Sequence, residues 1–154
     1  APGIRAALEG LQRRYPDRMK VCSVFDNDLA HAIYAGSDLF LMPSRSEPCG
    51  ISQMIAMTYG SIPVVYRTGG LADTVQAWNP QTRTGTGFLF DRFTAEACAH
   101  AIERALAAWG DPPQRAALVR NAMRTDFSWE RSAAQYLRVY DLVLGRTPGG
   151  AKAP

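Results

Sequence analysis

The sequence predicts an α/β fold in which helices cover a parallel sheet. Two short apolar runs, at residues 39–42 and 62–66, are typical of buried strands. Each run leads through a loop that contains glycine into a second apolar pattern with helical spacing. Strands that alternate with helices indicate a parallel sheet, because the chain has to cross the sheet between two parallel strands.

The remaining elements follow from the same patterns in order along the chain. Short apolar runs bounded by turn residues predict the strands, which are residues 19–25, 38–42, 61–66 and 87–90. Apolar positions three or four residues apart predict the helices, which are residues 4–15, 28–35, 50–59, 71–77, 94–109, 112–123 and 128–144. Asp26 or Asn27 is the expected cap of the second helix.

Two segments are expected to lie outside these elements. Residues 79–86 hold Pro, Gly and Thr and predict a loop. Residues 147–154 are rich in Gly, Pro and Ala and predict a disordered tail, so the folded part is expected to be residues 1–146.

Two of the helices carry apolar stripes on one face, and the stripe of the last helix is expected to pack in the core. The stripe of the helix at residues 94–109 contains Cys98, Ile102, Ala105, Leu106 and Trp109. The stripe of the last helix, which is expected to dock on the sheet, contains Trp129, Tyr136, Val139, Tyr140 and Val143.

The bulk composition excludes several classes of protein. The chain has 154 residues, which suits one ordinary domain, and a formal net charge of +3 from scattered basic residues. A nucleic-acid surface would gather its basic residues on one face, so no nucleic-acid partner is expected. No apolar run approaches the roughly 18 residues of a membrane helix, and the N-terminus shows no secretory signal pattern. Three widely spaced cysteines suggest neither a zinc site nor a disulfide framework, and reduced thiols point to the cytoplasm.

The loop at residues 43–53 carries the most informative chemistry of the chain. It follows a predicted strand and contains Glu47, Pro48 and Gly50. Bare amides at a helix N-terminus attract anions, and open α/β sheets bind ligands at the carboxyl ends of their strands. A carboxylate beside an anion site suits a ligand that is part phosphate and part polyol, such as a nucleotide sugar.

A second glycine loop allows a family to be named. Residues 43–50 read P-S-R-S-E-P-C-G, and residues 63–75 read P-V-V-Y-R-T-G-G-L-A-D-T-V. Both blocks, their spacing and the Asp-Phe-Ser-Trp segment at residues 126–129 resemble the starch and bacterial glycogen synthases. The resemblance runs from the neighbourhood of Tyr15 to that of Leu144.

The resemblance implies a fold and an activity. Members of this family are retaining glucosyltransferases of the GT-B type, with two Rossmann-like domains and no metal or other cofactor. They transfer glucose from ADP-glucose to the non-reducing end of an α-1,4-glucan. The chain would be an incomplete Rossmann-like parallel sheet with flanking helices from the C-terminal, donor-binding domain. The N-terminal domain, with its Lys-x-Gly-Gly-Leu loop, and the first strands of this domain would be missing, so the fragment alone is expected to be inactive.

Most of the implied site residues lie in the first of the two loops. Glu47 would act on the donor sugar by binding its hydroxyls, and the alternative is a carboxylate that only caps the following helix. Cys49, Gly50 and Ile51 would offer backbone N–H groups to the sugar and the distal phosphate. The Ser52 hydroxyl would meet a phosphate oxygen, and the alternative is an ordinary first-turn serine.

Other implied residues lie outside the first loop. Phe25 would stack on the adenine, unless it is an ordinary core phenylalanine. The start of the helix after the second loop would be formed by Thr68, Gly69 and Gly70. Glycines at this point suit close packing against the first loop or against the nucleotide sugar. Related families carry a ribose-binding glutamate eight residues after the first, but here that position is Ile55, and the starch and glycogen synthases lack that acid too.

Two rival functions stay open at this level. One is another retaining transferase that uses UDP-glucose or makes a small glycoside. The missing second glutamate and the Cys49 variant of the loop argue against this transferase. The other is a non-catalytic nucleotide-sugar-binding domain. A dehydrogenase is disfavoured because no G-x-G-x-x-G follows the first strand. Arg45 and Arg67 could face a phosphate group or support the loops through ion pairs, and loop support is the favoured interpretation.

The family arrangement also predicts how the strands pair. Doubly wound sheets order their strands 3-2-1-4-5-6, and by resemblance residues 19–25 would be strand three and residues 38–42 strand four. Residues 38–42, 61–66 and 87–90 are therefore expected to form a small sheet, and residues 19–25 are expected to stand apart from it.

Overall fold

The computed structural model describes residues 2–146, which contain seven helices and three strands. The helices are α1 (Pro2–Arg14), α2 (Asn27–Gly36), α3 (Ser52–Thr58), α4 (Gly69–Thr74), α5 (Ala95–Gly110), α6 (Pro112–Met123) and α7 (Trp129–Val143). The strands are β1 (Leu39–Met42), β2 (Ile62–Tyr66) and β3 (Phe88–Phe90). Each predicted helix is present, and the predicted tail at residues 147–154 lies outside the described residues.

The chain divides into two compact units, Ala1–Ile33 and Tyr34–Pro154. In the first unit, Arg5 and Glu9 pair across one turn of α1. The N–H of Leu29 donates to Oδ1 of Asp26 at 3.0 Å, so Asp26 is the cap of α2.

Residues 19–25 do not form the predicted strand. Within the described part of the chain they take part in no sheet, and the backbone N–H of Val21 donates to the side chain of Gln12 instead. An extended segment becomes a strand only when a neighbour satisfies its backbone groups. The expectation that this segment forms no ladder with β1 is confirmed.

The second unit contains a three-stranded parallel sheet in the order β1-β2-β3. Leu39 pairs with Ile62, and Val64 pairs with Phe88. This sheet with its flanking helices confirms the predicted α/β class and the predicted small sheet. Because the strands are parallel neighbours, the loops that follow β1 and β2 leave the same edge of the sheet side by side.

The core lies around β2 and β3, whose apolar side chains are almost entirely buried. Helix α5 packs on them through Ala101, Ala105 and Ala108, and such small side chains allow a helix to approach a sheet closely. Leu106, which was expected on this face, is 56% exposed. The buried face of α5 is centred on its alanines, and Leu106 points about 100° away from the neighbouring Ala105.

The apolar stripe of α7 is not part of the core, so that prediction is wrong. No described residue of α7 is buried, and the exposed stripe consists of Trp129, Tyr136, Val139, Tyr140 and Val143. Helical spacing shows that these side chains share a face. It does not show which surface that face meets, and in this structure each of the five side chains is more than half exposed.

Candidate functional site

The loops after β1 and β2 lie against each other at the carboxyl edge of the sheet. The first loop is residues 43–51 and leads into α3, while the second loop is residues 67–68 and leads into α4. The N–H of Gly70 donates to the carbonyl oxygen of Glu47 at 3.0 Å. This bond joins the start of α4 to the loop that carries most of the predicted site.

Gly69 and Gly70 allow this close approach. A Cβ atom at Gly69 would collide with the carbonyl oxygen of Glu47, and one at Gly70 would collide with the backbone of Cys49. Gly69 also has a φ of 40°, which residues with side chains rarely adopt. Packing against the first loop is therefore the observed use of these glycines, while a contact of Thr68, Gly69 or Gly70 with the donor stays a prediction.

Gln53 is a member of the site that sequence reasoning missed. Its side chain is fully buried, and its Nε2 donates to the carbonyl oxygens of Cys49 and Gly50 at 3.2 and 2.9 Å. The same nitrogen lies 3.0 Å from the Thr74 hydroxyl, which donates to the Gly70 carbonyl at 2.6 Å. The only sequence signal was an amide side chain inside the apolar pattern of α3, since a buried amide needs partners.

Gly50 makes room for this amide. It has a φ of 72°, and a Cβ atom there would come within 2.6 Å of the Gln53 Oε1. The left-handed backbone therefore favours glycine, and a Cβ atom at this position would also displace the Gln53 amide.

The Glu47 carboxylate is half-buried and has no hydrogen-bond or ion-pair partner among the described residues. Helix α3 begins after Ile51, and none of the described side chains caps it. The alternative in which Glu47 caps the helix is therefore not observed. An ionised carboxylate can accept several hydrogen bonds, so this one retains its capacity for incoming hydroxyl groups.

The start of α3 also presents unbonded donors. In the described part of the chain, the N–H groups of Cys49, Gly50 and Ile51 donate to no protein acceptor. Ser52, the first residue of α3, is half-buried. These groups are adjacent in the chain to the loop that carries the Glu47 carboxylate, so acceptor and donor groups occur together.

Phe25 belongs to the other compact unit, and 89% of its surface is exposed. The alternative of a core phenylalanine is therefore wrong in this structure. Stacking of this ring on a base stays a prediction.

The two arginines of the loops differ in their contacts. The Nε of Arg67 donates to Oδ1 of Asp91, so the end of β2 is tied to the segment that follows β3. This agrees with the expected loop support, although an exposed pair of this kind adds little stability. Arg45 is exposed and has no ion-pair partner within residues 2–146.

A cavity of about 500 Å³ opens beside the start of α3. Cys49, Ile51, Asp73, Phe127 and Trp129 are among its lining residues, and Glu47 is not. Within the residues that the structure describes, no group of three His, Cys, Asp or Glu side chains is placed to bind a metal ion. None of the described helices is long and apolar enough to cross a membrane.

Two bacterial glycogen synthases are similar to this chain. The enzyme of Bacillus cereus strain Q1 is 48% identical over 137 residues, which are 89% of this chain and 29% of that protein. The enzyme of Desulforamulus reducens is 49% identical over 132 residues, which are 86% of this chain and 28% of that protein. The chain thus spans less than a third of the length of these relatives.

Solved structures show the same fold. The catalytic domain of starch synthase IV from Arabidopsis thaliana, bound to ADP and acarbose, matches with a TM-score of 0.81 and 38% identity. The match covers 95% of this chain and 31% of that one. Sucrose-phosphate synthase from Thermosynechococcus elongatus matches with a TM-score of 0.64 and 30% identity, over 93% of this chain and 35% of that one.

The sequence also matches the general pattern of one protein family. Residues 11–125, which are most of the chain and include both loops, match the glycosyl transferases of group 1. The interlocked glycine loops at the carboxyl edge of a parallel sheet are thus those of a glycosyltransferase domain, and the chain belongs to the group 1 glycosyl transferases.

Proposed function

We propose that this chain is the donor-binding part of a glucosyltransferase of the starch and glycogen synthase type. The reaction is transfer of glucose from ADP-glucose to the non-reducing end of an α-1,4-glucan, with retention at the anomeric carbon. One observation carries the proposal: the half-buried Glu47 carboxylate has no partner among residues 2–146, and three N–H groups of the same loop have no acceptor among them. The ADP bound to the similar starch synthase IV supports an adenine nucleotide as the donor's carrier.

In this proposal the first loop binds the sugar and the distal phosphate. Glu47 accepts hydrogen bonds from the sugar hydroxyls, each contributing about 1.5–3 kcal/mol because the acceptor is charged. The N–H groups of Cys49, Gly50 and Ile51 bind the sugar and the phosphate, and the Ser52 hydroxyl donates to a phosphate oxygen. Hydrogen-bond donors that are already in place stabilise the negative charge that develops on the leaving diphosphate.

The rest of the donor is bound by residues outside this loop. Phe25 stacks on the adenine, and its exposure supports this role because the ring is free to accept a base. Thr68, Gly69 and Gly70 border the donor from the second loop. No metal or cofactor is part of the proposal, and the cytoplasm is the proposed location.

The proposed reaction exchanges one bond at the anomeric carbon for another. The bond from this carbon to the phosphate oxygen breaks, and the bond to the acceptor hydroxyl oxygen forms. The hydroxyl proton passes to the departing diphosphate. The protein's part is to hold the sugar and the diphosphate in position while charge develops.

A chimera tests the proposal without depending on the chain's own length. This chain replaces the matching 137 residues of the Bacillus cereus glycogen synthase. Radiolabelled ADP-glucose and UDP-glucose are supplied in parallel with glycogen, and proton NMR of the product reports the anomeric configuration. We expect incorporation from ADP-glucose as α-1,4 linkages.

Other outcomes would select the rivals. Preferential use of UDP-glucose would favour the other retaining transferase. A folded chimera that binds ADP-glucose in calorimetry but transfers nothing would favour a non-catalytic binding domain. A folded chimera that neither binds nor transfers would refute the proposal.

A further inference from the structure

We propose that Gln53 is a positioning residue, which sets the direction of the N–H groups that bind the donor. This rests on the proposed function above. Gln53 itself is fully buried and contacts the first loop through hydrogen bonds to the carbonyl oxygens of Cys49 and Gly50.

Because of the geometry of the peptide unit, these two hydrogen bonds set the direction of two backbone N–H groups. In a trans peptide the C=O and the next N–H lie in one plane and point in opposite directions. The Cys49 carbonyl shares its peptide unit with the Gly50 N–H, and the Gly50 carbonyl shares its unit with the Ile51 N–H. Holding both carbonyls towards Gln53 therefore turns both N–H groups away from it.

The amide of Gln53 can do this in one orientation only. Its Oε1 is buried and has no partner within the described residues, while its Nε2 faces the two carbonyl oxygens. Exchanging the two ends of the amide would place Oε1 against two other acceptors. The orientation is thus fixed by the two backbone carbonyls that it holds.

A second link connects this arrangement to the neighbouring loop. The Thr74 hydroxyl of α4 lies 3.0 Å from the Gln53 Nε2, whose two hydrogens are shared among this oxygen and the two carbonyl oxygens, and it donates to the Gly70 carbonyl. Gly70 in turn donates its N–H to the Glu47 carbonyl. A chain of hydrogen bonds therefore connects Gln53 with the backbone of Glu47 through Thr74 and Gly70.

The first test replaces Gln53 by methionine in the chimera, because methionine keeps the length of the side chain and lacks the N–H donors. We expect kcat with ADP-glucose to fall by about tenfold to a hundredfold, as misplacement by about 1 Å can cost that much. Affinity for AMP should stay the same, because AMP lacks the sugar and the distal phosphate. A kcat/KM within threefold of the parent would overturn the proposal.

Gln114→Met is the matched control. Gln114 is half-buried in α6, where its side chain bonds to Trp78 and Asp111. This variant should lower Tm and leave kcat unchanged. An equal loss of kcat in both variants would show a general structural effect and overturn the proposed positioning role. A loss of AMP affinity in Gln53→Met as large as its loss of kcat would do the same.

Thr74→Val keeps the test decisive if Gln53→Met fails to fold. Its control is Thr58→Val, because the Thr58 hydroxyl also donates to a carbonyl four residues earlier, on an exposed turn of α3. We expect Thr74→Val to lower kcat and Thr58→Val to leave it unchanged. Where Gln53→Met folds, the double variant with Thr74→Val should lose no more kcat than Gln53→Met does. Losses that multiply, or an unchanged Thr74→Val, would refute the link. An inactive parent chimera would instead count against the proposed function.

Discussion

Gly70→Ala tests whether the two loops are held together through their backbones. Gly70 is buried at the start of α4, and its N–H donates to the carbonyl oxygen of Glu47 at 3.0 Å. An added Cβ atom would overlap the carbonyl oxygen, the carbonyl carbon and the Cα of Cys49. None of these atoms belongs to a flexible side chain, so either α4 or the first loop has to move.

The cost of this movement has two parts. Overpacking against a rigid neighbour costs about 1–3 kcal/mol. Loss of the bond between Gly70 and Glu47 adds about 0.5–1.5 kcal/mol. A total of about 1.5–4.5 kcal/mol should lower Tm by roughly 3–18 °C in a domain of this size.

Thermal unfolding of the chain, followed by circular dichroism, measures this loss. Gly110→Ala is the matched control, because a Cβ atom at Gly110 meets nothing within 4 Å at the end of α5. In that variant the higher helix propensity of alanine should leave Tm unchanged or slightly raised. A Gly70→Ala variant that melts within 2 °C of the parent would refute the packing described for the loops.

Three further predictions address single side chains. Glu47→Ala in the chimera should lower the rate about a hundredfold, or roughly 3 kcal/mol, with Tm unchanged, and a rate within tenfold of the parent would exclude the proposed role. Phe25→Ala should weaken ADP binding by about 1–3 kcal/mol in calorimetry without changing Tm, and unchanged affinity would exclude stacking. Hydrogen bonds from the backbone and side chain of Gln114 lower the pKa of the Asp111 carboxyl. The stability from this cap is therefore present at neutral pH and lost as the pH falls through the lowered pKa. Asp111→Ala should lower Tm at pH 7 and not at a pH below that pKa, whereas a Tm difference independent of pH would contradict this account.

The sequence predicted those elements whose signals are local. The apolar runs of β1 and β2 and the glycines that follow them mark two strand–loop–helix units, and both occur in the structure. Residues 19–25 have a similar composition, but strand formation needs a partner, and no neighbouring strand pairs with them in the described chain. The stripe of α7 fails for the same reason, because helical spacing shows a shared face and does not identify its contact.

The candidate site was predictable to the level of residue types. A carboxylate and a glycine before a helix indicated the chemistry of the first loop, and the paired glycines indicated a close approach in the second. Gln53 could not be found in this way, because two of its partners are backbone carbonyls, which every residue possesses, and the third, Thr74, lies 21 residues away in the chain. The folded backbone, with a φ of 72° at Gly50, places two of those carbonyls within hydrogen-bond distance of one buried amide.

The contacts between the loops imply that binding and stability can be separated by mutation. The loops meet through the backbone of Glu47 and Cys49 and through glycines without side chains, whereas the Glu47 carboxylate bonds to no described residue. A substitution at Glu47 therefore removes a group that the fold does not use, while one at Gly70 disturbs the frame that carries the group. The side chain of Gln53 lies between these cases, because it is buried like a core residue and bonds to the peptide units whose N–H groups are proposed to bind the nucleotide sugar. Substitution there should alter the direction of those groups, and hence the rate, even in a variant that still folds.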